Sequence, residues 1–179
     1  QYASMLASAE RLMESEVNIP QNEAVAVEDV DDFYRLYADK EITEYMEPLF
    51  EDRDEEIEYT KSYAKNVYEF YGFGMWTVIL KETGQIIGRA GLSIREGYDL
   101  PELGFMIAVP FQKKGLAFEV CSAVLKYARE ELFFDEVQAL VEKENTASLR
   151  VLEKLGFYFR NEVTEKGKRY RLMIKENKA

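Results

Sequence analysis

Apolar and polar positions change period along the chain. Leu6, Ala9 and Met13 recur at helical spacing, so Tyr2–Val17 is expected to be a helix. Asn18-Ile19-Pro20 stops it, because the residue before a proline is pushed out of the helical region. Glu23–Val27 alternates weakly, as a short strand would. Phe33, Leu36 and Tyr37 form one helical stripe, for which Asp29 or Asp31 supplies a cap. The helical period returns at Ile57, Tyr63 or Ala64, Val67, and Phe70 or Tyr71. The charge run Glu51–Glu56 just ahead reads as the solvated first turn of that helix, where the dipole favours acids. The other reading is an acidic patch for a cationic substrate.

After Tyr71-Gly72-Phe73-Gly74 the period becomes two. Met75–Leu80 and Gln85–Ile94 are expected to be strands of a hairpin turning at Lys81-Glu82-Thr83-Gly84. Gly88 and Gly91 allow close packing or a bulge in the second. Arg95–Pro101 is polar and turn-like, and Glu102–Val109 is a third strand ending at Pro110. There follow a helix over about Gly115–Leu132 and a strand over about Glu136–Val141. The buried stripe of that helix is Phe118, Cys121, Val124 or Leu125, Ala128 and Leu132. A helix at Thr146–Leu155 comes next, then strands near Phe157–Val163 and Arg169–Ile174 that hinge on Lys166-Gly167. The fold class is α+β, an antiparallel meander followed by a β-α-β-α-β half. Residues 1–21 read as an N-terminal helix or linker and residues 22–179 as one domain.

Composition narrows the function classes. With 179 residues, 47% hydrophobic and 32% charged, the chain can bury a sizeable core. Thirty-four acids against twenty-three bases leave a net charge of -11, which disfavours a nucleic-acid partner and suits a cationic small molecule or a basic peptide tail. Apolar runs such as Phe105–Val109 fall far short of the roughly 20 residues of a membrane span. Cys121 is the only cysteine, so no internal disulfide forms and a reducing, cytoplasmic setting is expected. It lies on an apolar helix face, as a core residue does. The absence of histidine excludes His-based triads and His metal sites, and no metal is expected. The chain opens on Gln1 without a signal-peptide pattern, which leaves open whether it is part of a longer polypeptide.

The junction Ile107-Ala108-Val109-Pro110-Phe111-Gln112-Lys113-Lys114-Gly115-Leu116-Ala117 carries the most chemistry. A strand ends, a glycine turns, and an amphipathic helix starts at once. The first turn of a helix offers unpaired N–H groups and a partial positive charge, which together attract phosphate. Gly115 lets the backbone come close, Ala117 keeps bulk away, and Lys113 and Lys114 add positive charge. Neither a P-loop nor a dinucleotide glycine fingerprint is present. Further on, Asn145 is a good N-cap, Leu149, Leu152 and Leu155 share one face, and Gly156 is placed as a stop.

Gln112-x-x-Gly115-x-Ala117 resembles the Q/R-x-x-G-x-G/A motif of the GCN5-related N-acetyltransferases, the GNAT family. Asn145-Thr146-Ala147-Ser148-Leu149-Arg150-Val151-Leu152-Glu153-Lys154-Leu155-Gly156-Phe157 is similar to that family's second signature. Glu102-Leu103-Gly104-Phe105-Met106-Ile107 is similar to the E-L-G-Y strand of its ribosomal-protein-modifying, RimJ/RimL-like branch. The resemblance covers about residues 22–175. It implies a mixed, mostly antiparallel central sheet with a splayed strand pair and flanking helices. It also implies acetyl-CoA in the gap of that pair. The main chain at Ile107 and Val109 would pair with pantetheine, Gln112, Lys113, Lys114, Gly115, Leu116 and Ala117 would hold the pyrophosphate, and Asn145 would touch the cofactor beside it.

The implied chemistry is attack of a neutral amine on a thioester, which needs a base for the amine and an acid for the leaving thiolate. Many family members place a tyrosine acid where this chain has Leu152, which cannot donate. The resemblance implies Ser148 instead, a plain helix-surface serine being the other reading. Glu102 is the candidate base, through water, or else a solvated strand-end carboxylate. Main-chain N–H groups near Val109 would polarise the carbonyl. Tyr45, Met46, Tyr71, Phe73 and Trp76 form either an aromatic wall for a cationic amine or hairpin and core packing. The expected partner is an amine acceptor, a peptide N-terminus or a small cationic amine, with a homodimer left open. An acyl-CoA-binding regulatory domain without transfer, and a polyamine or aminoglycoside acetyltransferase, are the alternatives.

Overall fold

The structure, a computed structural model, describes residues 17–18 and 27–178. Strands β1 (Val17–Asn18), β2 (Met75–Leu80), β3 (Ile86–Ile94), β4 (Pro101–Ile107), β5 (Glu136–Glu142), β6 (Tyr158–Glu165) and β7 (Lys168–Glu176) make one sheet in the order β1-β2-β3-β4-β5-β7-β6. Each neighbouring pair is antiparallel except β4 with β5, which is parallel. The expected meander is β2-β3-β4, and each of its strands falls within two residues of the expected bounds. The helices longer than three residues are α1 (Val30–Tyr37), α2 (Lys40–Thr43), α3 (Arg53–Tyr63), α4 (Leu116–Glu130) and α5 (Thr146–Lys154), apart from a π turn at Ala64–Tyr68.

Alternation sorts the side chains of the sheet into two layers. On one face Val78, Ala90, Leu103, Ile107, Val137 and Ala139 pack with α4 and α5 in the main core. We call this the back. On the front, Met106 packs with Phe33, Tyr37 and Ile42 of α1 and α2. Gly88 and Gly91 are needed for close approach. A Cβ on Gly88 would stand 1.9 Å from the Met106 carbonyl oxygen, and one on Gly91 2.0 Å from that of Gly74. The bulge in this hairpin falls between Val78 and Ile79.

The N-terminal half departs from expectation in several places. The expected helix Tyr2–Val17 lies outside the described residues except at Val17, which with Asn18 pairs to Leu80 and Ile79 as a strand. The expected strand Glu23–Val27 also lies outside them, except for Val27 at the start of a 3-10 turn. Asp29 occupies the N-cap position of α1, but its Oδ2 accepts from the Thr77 hydroxyl (3.1 Å) rather than from the helix.

The charge run is a helix start, as its acids and the dipole suggest. Asp52 caps α3, accepting from the N–H groups of Asp54 (2.7 Å) and Glu55 (3.2 Å). Glu56 is buried and accepts from the Phe50 N–H (2.9 Å). The stripe continued to Phe70 and Tyr71 is corrected, since both are exposed. The chain passes through a π turn at Ala64–Tyr68, and the extra residue per turn rotates the following face away from the core. In α4, Phe118 is likewise exposed. Leu116, Val120 and Val124, at four-residue spacing, take the core instead, leaving Phe118 at the border of that stripe.

Candidate functional site

Because β4 and β5 are parallel, the loops that follow them emerge at the same edge of the sheet. One leads through Gln112–Ala117 into α4, the other through Asn145 into α5. The two strands share a single ladder position, Glu102 with Gln138, whereas β3 with β4 and β5 with β7 each share seven. Beyond that position β4 and β5 separate. The Ala108 N–H reaches back to the Ile87 carbonyl on β3 (2.7 Å). By alternation, the polar groups of Phe105 and Ile107 therefore face the gap. This is the splayed pair that the motifs imply.

The Ile107 carbonyl in the gap already accepts from Gln112 Nε2 (2.9 Å). Gln112 thus ties the loop to the strand end, and a second lone pair on that carbonyl stays available to a ligand. After a short 3-10 turn, Val109–Phe111, the loop passes through two left-handed residues, Lys113 (φ 60°) and Gly115 (φ 81°). Gly115 is the N-cap of α4 and supplies no side-chain cap. The first-turn amides of Leu116 and Ala117 are therefore left to an outside acceptor. A Cβ on Gly115 would meet nothing within 4 Å, so space is open there. Lys113 and Lys114 are exposed, with Lys114 Nζ 5.6 Å from the centre of the Phe111 ring. An uncapped, positively biased helix start in front of open space fits a pyrophosphate.

Across the gap, Asn145 caps α5 by accepting from the Ser148 N–H (3.3 Å). Ser148 lies in the first turn, half-buried, while Leu152 is sealed in the core. Glu102 sits at the closed end of the gap on the front face, 7% exposed. Its carboxylate is held by Arg95, Nε to Oε2 at 2.5 Å and Nη2 to Oε1 at 2.9 Å. That bond to Glu102 holds the Arg95 guanidinium above its ordinary range. The sequence reading missed Arg95. The available signal was a base and an acid flanking one hairpin turn, which register brings together.

On the front, several acids and bases stand where the hairpin of β6 and β7 meets the loops. Tyr98 donates to Glu165 (2.7 Å), Lys166 to Glu47 (2.9 Å) and Lys168 to Glu142 (3.2 Å). The bond from Lys166 holds the Glu47 carboxyl below its usual range. Desolvation first, and then Glu44, Glu142 and Glu144, hold the Tyr45 phenol above its own. Two of the five aromatic-wall candidates belong elsewhere. Trp76 meets Tyr127 edge-on at 5.5 Å and donates to the Tyr68 hydroxyl, and Phe73 meets Phe134 at 5.5 Å. Both rings are in the back core, Trp76 on the same parity as Val78 and against Tyr127 of α4. Tyr71 is exposed, and Met46 packs on the front cluster. Cys121 is fully buried, and burial pushes its thiol far up. Among the described residues no group of acids and thiols is arranged to hold a metal, and no helix is long and apolar enough to cross a membrane.

Comparison with known proteins agrees with this geometry. The uncharacterised protein YkkB of Bacillus subtilis is 30% identical over 129 residues, covering 71% of this chain and 74% of its own. The probable N-acetyltransferase YjcK of the same organism is 32% identical over 131 residues, covering 72% and 62%. The ribosomal-protein-S5-alanine acetyltransferase of Vibrio fischeri superposes with a TM-score of 0.73 at 14% identity, covering 90% of this chain and 92% of its own, a likeness of fold. Residues 23–158 match the family described as Acetyltransferase (GNAT) domain, and the chain accordingly belongs to the GNAT family of acetyl-CoA-dependent N-acetyltransferases.

Proposed function

We propose that this acetyltransferase acts on the primary amine of a cationic acceptor, a peptide N-terminus or a small amine, in the manner of the RimJ/RimL-like branch. The observation that carries the reading is the gap between β4 and β5, with Glu102 at its closed end and the uncapped start of α4 at its open end. The acids Glu44, Glu142 and Glu144 around Tyr45 favour a cation at that end.

The amine nitrogen attacks the thioester carbonyl and the carbon–sulfur bond breaks. Glu102 takes the amine proton through water and releases it to solvent, and the Ser148 hydroxyl gives a proton to the departing thiolate while regaining one from solvent. N–H groups near Val109 stabilise the oxyanion. The loop from Gln112 to Ala117 and Asn145 hold the cofactor against these groups.

The test is thiol release from acetyl-CoA across a panel of amines, with Ser148→Ala beside the wild type. Turnover with peptide N-termini or cationic amines, sharply reduced in the variant, is the expected result. Equal turnover in the variant removes Ser148 as the acid. Coenzyme A binding without turnover for any amine favours the binding-module reading.

A further inference from the structure

Four buried side-chain nitrogens or oxygens lack a hydrogen-bond partner among the described residues, on Tyr37, Arg89, Gln138 and Arg171. Three of these groups have another use. The Arg89 guanidinium stacks over the Tyr37 ring at 5.2 Å under α1, and that of Arg171 over the Phe159 ring at 5.0 Å at the outer side of the sheet. Gln138 carries no charge to stack in this way. It is 2% exposed, and its Nε2 is unpaired.

Its position gives this a meaning. Gln138 is the residue of β5 paired with Glu102, so its side chain shares the front face with that carboxylate at the closed end of the gap. Glu102 turns its two oxygens to Arg95 and leaves the amide unmet. A buried donor without a partner is costly, and an apolar side chain of the same length would remove the cost. In the free protein this nitrogen is sealed from solvent, so a molecule entering the gap meets it only by parting the side chains at the closed end.

We infer that Gln138 is a specificity-determining residue whose amide N–H binds an oxygen atom of the acceptor, next to the amine that Glu102 serves. This rests on the proposed transfer to an amine and deepens it. The acceptor carries an oxygen on the carbon beside its amine-bearing carbon. A peptide N-terminus offers that oxygen as a carbonyl and an amino sugar as a hydroxyl, whereas a polyamine has none.

The experiment compares kcat/KM for matched amines in wild type, Gln138→Met and Gln138→Leu. L-Alaninamide is set against 1,2-dimethylpropylamine, and L-alaninol against sec-butylamine. Each pair differs in polar atoms and hardly in shape. Differences in amine basicity cancel when the preference in a variant is divided by that in the wild type. The expected result is a preference for the oxygen-bearing amine that falls about tenfold in both variants. A fall confined to alaninamide assigns a carbonyl, and a fall for alaninol as well assigns a vicinal oxygen of either kind. An unchanged preference in folded variants overturns the inference while leaving transfer intact. Coenzyme A binding with no turnover of any amine in the wild type overturns both.

Discussion

Arg95 brackets the carboxylate of Glu102 with two nitrogens, from a loop at the far end of the strand that leads to Gln112–Ala117. A fork of this kind fixes orientation as well as charge. Glu102→Gln should lower kcat/KM by about a hundredfold or more, the usual loss when a general base is removed. Arg95→Met should lower it less, by misorienting the same group. In stability, the two changes should couple by about 1 kcal/mol in a double-mutant cycle, a modest value because Arg95 is 40% exposed and solvent screens the pair. Steady-state kinetics and thermal melts of the four proteins decide this. Coupling in stability without any loss of turnover would make the pair structural alone.

Asn145 holds Ser148 by its backbone N–H, so the hydroxyl is not what keeps the helix capped. Ser148→Ala should therefore melt close to the wild type while kcat falls by ten- to a hundredfold, roughly the worth of an acid. Asn145→Ala should behave in the opposite way. Loss of the cap costs about 1 kcal/mol, which for a chain of this size lowers Tm by roughly 2–4 °C. Its KM for acetyl-CoA should rise as well. Melting curves read beside kinetics separate the two residues. A large Tm loss in Ser148→Ala would contradict the assignment.

Local pattern carried the second half of the fold further than the first. The Lys166-Gly167 turn, the α5 cap and the strand–glycine–helix junction are all written in neighbouring residues, and the structure has each in place. What local pattern does not carry is pairing between distant strands. Nothing near Lys168–Glu176 announces that β7 slots between β5 and β6. The π turn of Ala64–Tyr68 rotated Phe70 and Tyr71 outward, and no periodicity analysis with a fixed 3.6-residue turn can follow that. The junction proposed for the cofactor was legible because its backbone geometry demands particular residues, Gly115 above all. The groups proposed for the acceptor were not, because register alone sets Arg95 and Gln138 beside Glu102, while Phe73 and Trp76 are aromatic for the sake of the back core.

Cys121 offers a test of the main core. It lies on the buried face of α4, and burial pushes its thiol far above the ordinary range. The folded protein should therefore be inert to a thiol-specific reagent at pH 8, and about one equivalent should react once denaturant is added. Cys121→Ser should lower Tm by placing a hydroxyl among apolar neighbours. Rapid labelling of the native chain would put α4 in the wrong register.

Gly115 and Gly97 make a matched pair for the cofactor loop. Both have left-handed backbone, φ 81° and 83°, and a Cβ on either would meet nothing within 4 Å. Alanine at either position should thus cost about 1–2 kcal/mol of backbone strain and no more. They differ in what lies in front of them. Gly115 opens α4, where the phosphates are expected, and Gly97 turns the loop at the other end of β4. Gly115→Ala should raise the Kd for acetyl-CoA at least tenfold, because the methyl enters the phosphate space and the strain tilts the first-turn amides. Gly97→Ala should melt at a similar temperature and bind acetyl-CoA as the wild type does. Calorimetric titration of both variants measures the difference. If their affinities fell equally, the loss would be general destabilisation, and the start of α4 would have no special part in holding the cofactor.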